Sequence, residues 1–327
     1  MPLRIAYYVH GRGRGHSTRA HYLLKKLILR KYKLKVYVGR DALPVLEENY
    51  EVEQIDSIFP ESSVIDFIKR LIEDYRQLRK FRPDVLISDG DAPSTWVAKL
   101  LGIPILSIGH GLVFPYCKHP VQLPKSELLR ENFKVRIASQ WASHKFIIHF
   151  CELPTKDNKS ILVKPDLSFD EFENDRGDYL ISYFRDGNGH SVLEALTANG
   201  MKIKNFGHPV NINGIQNYPS DNMKFKQMLS GANGVVSSAG SNIIFESLAL
   251  QKPLLLLYKP DDFEQKANAM YMEHLGYGLS SSFDTVQPEL IHEFILSLET
   301  QTDNHPSFNV MPSLSDAVLD YLKLNFH

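Results

Sequence analysis

The densest run of chemistry-bearing residues lies between positions 237 and 269. It reads Ser237-Ser238-Ala239-Gly240-Ser241-Asn242-Ile243-Ile244-Phe245-Glu246, then Pro253, then Asp261-Asp262-Phe263-Glu264-Gln265-Lys266-Ala267-Asn268-Ala269. Strand, small-residue turn and helix follow in order. The first N–H groups of a helix have no partner within it, so those of Gly240, Ser241 and Asn242, beside Ser238, are read as free to hold a diphosphate. Glu246 lies about five residues into the helix, roughly 7–8 Å along its axis at about 1.5 Å per residue. A carboxylate there can accept hydrogen bonds from two vicinal ribose hydroxyls. Glu264 and Gln265 open the next helix and can bind sugar hydroxyls. Taken singly, each is an ordinary surface or capping residue. Their order points to a ligand that joins a diphosphate, a ribose and a sugar.

A second set, His10-Gly11-Arg12-Gly13-Arg14-Gly15-His16, follows the first apolar run. Gly13 and Gly15 let the backbone turn tightly and approach a ligand at a helix start, and are counted with the donor-binding residues. The spacing is not GxGxxG, and the next strand ends Val38-Gly39-Arg40-Asp41, which is not a dinucleotide fingerprint. The plain alternative is a tight turn with solvated arginines. His16, at the helix start, is the candidate base for an acceptor hydroxyl. In Ser88-Asp89-Gly90-Asp91-Ala92-Pro93, Asp89 is the candidate carboxylate that orients His16. Equally, Asp89 or Asp91 caps the helix that begins near Ser94. Two carboxylates are a thin ligand set, so no metal is assigned. His110, in Ile108-Gly109-His110-Gly111, either contacts the acceptor or is a satisfied histidine of a turn.

These residues must be carried by a repeating framework. Apolar runs at Leu3–Val9, Leu34–Val38, Asp84–Ser88, Pro104–Ile108 and Lys145–Phe150 alternate with helical patterns at Ser17–Arg30, Val64–Lys80, Ser94–Leu101 and Leu123–Ser143. The polar stretch Asp157–Asp178 reads as a connection. The grammar then restarts, with strands at Tyr179–Phe184, Lys202–Phe206, Gly234–Ser237 and Pro253–Leu257 and terminal helices at Pro288–Glu299 and Ser313–Leu324. Such alternation predicts α/β architecture: two Rossmann-like doubly wound domains facing across a cleft, with ligands at the carboxyl ends of the strands. The expected division is 1–156, acceptor side; 157–312, nucleotide-sugar side; and 313–327, a C-terminal helix that can cross back to the first domain.

The 327 residues suit two such domains, and a net charge of −1 gives no overall basic excess for a nucleic-acid backbone. Two cysteines, Cys117 and Cys151, argue against a disulfide scaffold. The N-terminus reads as a strand and not a secretory signal, and no apolar stretch reaches the roughly 18 residues of a membrane span. The expectation is a cytoplasmic protein. The segment Leu123–Lys145 mixes Lys125, Arg130 and Lys134 with Phe133, Ile137 and Trp141. It reads either as a helix packing its apolar face inward or as a peripheral contact at the inner face of a membrane.

With these motifs in place, the chain resembles the GT-B fold glycosyltransferases. It is most similar to the family-28 branch, which includes the bacterial enzyme adding N-acetylglucosamine to the lipid-linked peptidoglycan precursor. The specific part is Gly234–Gly276, with a small-residue turn, a helix glutamate, an lgkP-like step at Leu250-Gln251-Lys252-Pro253, an acidic-Gln pair and Asn-Ala. The resemblance implies transfer of a hexose or N-acetylhexosamine from a UDP-sugar to a glycan, lipid-linked or small-molecule acceptor. Inversion, no metal and no other cofactor are implied with it. Glu246 then binds the ribose, Gly240 and Ser241 line the diphosphate, Glu264 and Gln265 hold the sugar, and His16 with Asp89 is the catalytic pair. Two departures stand out. The usual Gly-Gly-Ser loop is replaced by Ser182–His190, where Arg185 is the residue offered to the diphosphate, and the usual Thr is Asn242 or Ile243. The alternatives are a nucleotide-sugar 2-epimerase of the same fold and a non-catalytic nucleotide-sugar-binding protein.

Overall fold

The computed structural model describes residues 2–11, 14–59, 61–169, 171–219, 221–300, 308 and 310–326. The chain divides into two compact units. One comprises Met1–His119, Pro124–Asp166 and Val310–His327; the other comprises Pro120–Leu123 and Leu167–Asn309.

The first unit is built on seven parallel strands: β1 Arg4–Val9, β2 Lys33–Gly39, β3 Glu53–Ile55, β4 Val85–Asp89, β5 Ile105–Gly109, β6 His144–Ile148 and β7 Ser160–Val163. Their order is β3-β2-β1-β4-β5-β6-β7. Ile5 through Val9 are fully buried, as expected of a strand covered on both faces. Around the sheet run α1 Arg14–Leu29, α2 Leu43–Glu47, α3 Val64–Phe81, α4 Ala92–Leu100, α5 Val113–Tyr116 and α6 Lys125–Ser139. Ser63 caps α3 by accepting from the Asp66 N–H, and Arg82 ends it at φ 49° just before Pro83. The C-terminal helix Leu314–Asn325 packs on α1 and β6 and buries Leu314, Val318 and Leu322.

The second unit has six parallel strands: β8 Tyr179–Tyr183, β9 Lys202–Asn205, β10 Ile215–Asn217, β11 Gly234–Ser238, β12 Leu254–Tyr258 and β13 Gly278–Ser282. Their order is β10-β9-β8-β11-β12-β13. The helices are α7 His190–Ala198, α8 Asn222–Ser230, α9 Ser241–Ala249, α10 Phe263–His274 and α11 Pro288–Thr300. Leu180, Val236 and Leu255 of the sheet pack in one cluster with Leu193 and Leu196 of α7 and Phe294 and Leu298 of α11.

Both units are Rossmann-like. Strand order reverses between β1 and β4 in one sheet and between β8 and β11 in the other, and ligands of doubly wound sheets bind at such switch points. One expectation is corrected. Segment 157–178 is not all connection: Ser160–Val163 pairs with β6, so the first unit continues to Asp166 instead of ending at 156. No helix among the described residues is long and apolar enough to cross a membrane.

Candidate active site

In the first unit the ends of β1 and β4 lie side by side, with Val9 opposite Asp89. The His10 N–H donates to the Asp89 carbonyl at 3.1 Å. His16 stands on the first turn of α1, and its Nδ1 is 2.9 Å from Asp89 Oδ1. Arg19, one turn further on, donates from Nε to Asp89 Oδ2 at 2.6 Å and from its terminal nitrogen to Oδ1 at 2.7 Å. The same nitrogen lies 2.8 Å from His16 Nδ1. The Asp89 side chain is fully buried, whereas that of His16 is 18% exposed. Burial alone would raise the Asp89 carboxyl, but the Arg19 guanidinium and the His16 ring outweigh it and hold that carboxyl well below the usual carboxylate range.

Gly90 turns the chain beside the imidazole in the left-handed region. Its φ is +79°, and a Cβ there would sit 3.5 Å from His16 Cε1. Phe59 packs 4.8 Å from the His10 ring and carries the Arg40 guanidinium 4.0 Å above it. Asp91, not Asp89, caps α4, accepting from the Ser94 N–H at 3.1 Å. Its carboxylate also faces buried Arg70, which bonds Asp74. Both carboxylates of Asp89-Gly90-Asp91 are thus engaged by cations of the chain. Among the described residues no three His, Cys, Asp or Glu side chains come together as a metal site. Gly15 lies in the first turn of α1; Gly13 lies outside the described residues.

His110 does not line an open surface. It is 6% exposed, its ring nitrogen bonds the Ile148 carbonyl at 2.8 Å, and it stacks on His149 at 5.8 Å. Of its two readings, the geometry matches the satisfied turn histidine and not the acceptor contact.

In the second unit α9 starts at Gly240 without a side-chain cap, and so does α7 at Gly189, whereas Asp221 caps α8 and Asp262 caps α10. The two uncapped starts follow the two strands that flank the switch point. The Gly240 N–H is not free as expected: it donates to the Ser238 carbonyl at 2.7 Å, so the open donors begin at Ser241 and Asn242. Gly240 has an ordinary negative φ of −73°, and a Cβ there would meet no protein atom within 4 Å. Neither backbone strain nor packing calls for glycine at this position.

The turn is braced from α10, where buried Asn268 donates to the Ala239 carbonyl at 3.0 Å. Glu246 is partly exposed on α9, and no group among the described residues hydrogen-bonds its carboxylate. Burial pushes this carboxyl up to about 7, against the opposing charge of Lys226. Gln265 gives its amide nitrogen to Asp262 at 2.7 Å, while its Oε1 has no donor among the described residues. Glu264, Asn242 and Arg185 are exposed; Ser238 and Ser241 are half-buried. Asp186, next to Arg185, pairs with Lys259 at 2.6 Å and ties the loop after β8 to the loop after β12.

Sequence reasoning missed Arg19 and Lys259. A histidine followed three residues later by arginine on a predicted helix signals a shared face, but a solvated charge is the commoner reading of that pattern. Lys259 follows directly on an apolar strand, where ligand groups gather.

Comparison with known proteins agrees with this architecture. Residues 3–299 match the family model described as glycosyl transferase family 1. A curated relative from Clostridium kluyveri, UDP-N-acetylglucosamine–N-acetylmuramyl-(pentapeptide) pyrophosphoryl-undecaprenol N-acetylglucosamine transferase, is 23% identical over 79% of this chain and 77% of its own. The crystal structure of MurG from Acinetobacter baumannii superposes with a TM-score of 0.70 at 16% identity, over 99% of this chain and 100% of that one. The UDP-GlcNAc 2-epimerase from Methanocaldococcus jannaschii shares the fold with a TM-score of 0.68 at 13% identity, over 99% and 100% of the two chains. With its two Rossmann-like domains and a family match over nearly its whole length, the chain belongs to glycosyl transferase family 1 and is a GT-B glycosyltransferase.

Proposed function

We propose that the second unit binds the nucleoside diphosphate of a sugar donor, a UDP-sugar in view of the Clostridium relative, and that His16 deprotonates the acceptor hydroxyl. One observation supports this reading above the others. Helix α9 opens uncapped at a glycine the protein's own packing does not require, and a carboxylate with no hydrogen-bond partner among the described residues stands on the same helix. In the scheme the Ser241 and Asn242 N–H groups and the positive end of α9 meet the diphosphate. Glu246 accepts from the ribose hydroxyls, and Glu264 and Gln265 take the sugar. In the tautomer with the proton on Nδ1, Nδ1–H donates to Asp89 and the acceptor O–H gives its proton to His16 Nε2; the Arg19 nitrogen beside Nδ1 is then a neighbouring cation and not a donor to it. The acceptor oxygen forms a bond to the anomeric carbon, and the bond to the diphosphate oxygen breaks with its electron pair. A single displacement inverts that carbon. Arg185 and the α9 dipole meet the departing charge, so the scheme assigns no role to a metal.

The test is calorimetric titration of UDP-sugars and other nucleotide sugars in buffer containing EDTA. Gly240→Ala is expected to fold with an unchanged Tm and to weaken donor binding about tenfold or more, roughly 1.4 kcal/mol. Donor binding as tight in Gly240→Ala as in wild type overturns the placement of the diphosphate.

A lipid-linked acceptor fits the outer surface of the first unit. Val64, Ile65 and Ile68 of α3 and Leu129 and Phe133 of α6 are exposed. Between them Trp96 of α4 meets Phe67 edge-on at 5.8 Å and donates to the Ile137 carbonyl. Lys69, Lys99, Arg130 and Lys134 lie on the same three helices. We read this as a peripheral contact with an anionic bilayer. Flotation with anionic vesicles is expected for wild type and not for an Ile65→Glu, Phe133→Glu double variant; equal flotation of both sinks this contact. The shared fold of the epimerase keeps one second reading in view. Release of an epimer from donor alone, without acceptor, would favour it.

A further inference from the structure

The His16–Asp89 pair has a third member that the scheme above leaves without a role. Arg19 takes both oxygens of Asp89 in a fork and brings its terminal nitrogen to 2.8 Å from His16 Nδ1. A guanidinium holding a carboxylate through two bonds fixes its plane, which a point charge does not do. Asp89 is fully buried and its fork partner nearly so, at 13% side-chain exposure, so their charges act at low dielectric. Among the described residues, the other titratable or charged groups around the imidazole are His10, just after β1, whose ring is 6.3 Å away, and the Tyr7 hydroxyl, which feels both Asp89 and Arg19.

We propose that Arg19 is the positioning residue of the pair: it orients Asp89 and offsets part of its charge, so that His16 rests neutral and takes a proton only from the acceptor. The physical reason is a balance of charge. A buried carboxylate in contact with a histidine and no other cation favours imidazolium. An imidazolium has no lone pair and cannot act as a base. With Arg19 already in place, a protonated His16 puts two cations on one carboxylate. The neutral ring is therefore favoured until the acceptor hydroxyl delivers its proton.

This inference rests on reading His16 as the base, and its test separates the two. The His16 ring is titrated by nitrogen-detected NMR in wild type, Arg19→Gln and Arg19→Lys, with no substrate present, and kcat/KM is followed against pH in parallel. In Arg19→Gln the His16 midpoint and the acidic limb of the rate profile are expected to rise together by about one pH unit or more. Arg19→Lys keeps the cation, so its midpoint stays near wild type while kcat falls because the fork is gone. A His16 midpoint that does not move in Arg19→Gln, or that rises as far in Arg19→Lys, overturns the proposal. Should Arg19→Gln fail to fold, Arg19→Met supplies the uncharged comparison, with the same rise of the His16 midpoint expected and the same absence of a rise overturning the proposal. Full turnover by His16→Ala refutes the base assignment by itself, while the substrate-free titration still reports on Arg19.

Discussion

His16→Ala is expected to lower kcat by about 10²–10⁴-fold, the range of a positioned general base, while the Kd for the donor stays at its wild-type value. The split follows from where the residue sits. His16 belongs to the first unit, on the first turn of α1, and the donor groups of the proposed scheme, Arg185, Ser241, Asn242, Glu246, Glu264 and Gln265, belong to the second. Asp89→Asn keeps the shape but removes the charge that favours the protonated ring, and is expected to lower kcat by a smaller factor. It also leaves Arg19 as a buried cation without its partner, which costs stability. Single-turnover rates with saturating donor are the measurement. A His16→Ala rate within threefold of wild type would exclude this histidine from proton transfer.

Glu246→Ala is expected to cut kcat/KM for the donor by about 10²–10³-fold, since hydrogen bonds to a charged group contribute roughly 1.5–3 kcal/mol each. Burial disfavours the charge of this carboxyl and pushes it up to about 7, and nothing among the described residues donates to it. Ribose hydroxyls donate to the ionised form, so donor affinity is highest above pH 7 and declines below it. Near pH 6 only about a tenth of the sites carry the charge, and Kd is about tenfold weaker. A nucleotide sugar is the right probe, because its diphosphate bears no group titrating in this window. Stability runs the other way. The folded value lies above the ordinary 4.5, so ionising Glu246 destabilises the fold as pH rises from about 4.5 through 7. Glu246→Gln therefore has a higher Tm than wild type at pH 8 and an equal one at pH 4. Identical melting at both pH values, with undiminished donor binding, would remove Glu246 from the site.

What could be read from residues alone follows the degree of burial. Most inner strands are buried on both faces and were legible as apolar runs such as Leu254–Leu257, while Lys202–Asn205 was placed by its position after a helix. The four strands that escaped notice, β3, β7, β10 and β13, are the four sheet edges. An edge strand pairs on one side only and is half solvated, so Glu53-Gln54-Ile55 or Gly278–Ser282 carries no apolar signature. The same rule explains the site. The order of turn, helix and glutamate at 238–246 is local and was visible. The partners of Asp89 and Asp91 come from α1 and α3, far away in sequence, so which carboxylate capped α4 and which met His16 stayed open. His110 looked chemical because of its glycine neighbours, yet its hydrogen bond goes to Ile148 across the sheet. The Gly240 N–H was hidden by a turn whose tightness depends on its own backbone angles.

The excursion of the chain from Asp166 to Val310 and back has a consequence for biogenesis. Asp166 accepts from the Ser315 N–H and hydroxyl and pairs with Lys26 of α1, while Tyr321 stacks on His144 of β6. The ribosome makes α1 and β6 long before the helix that covers them. A nascent chain that has emerged only as far as Asp166 exposes the apolar seat of Leu314, Val318 and Leu322 for as long as the whole second unit takes to be synthesised. The first unit to appear is thus the last to be completed, and its uncovered seat is where a chaperone would find the growing polypeptide.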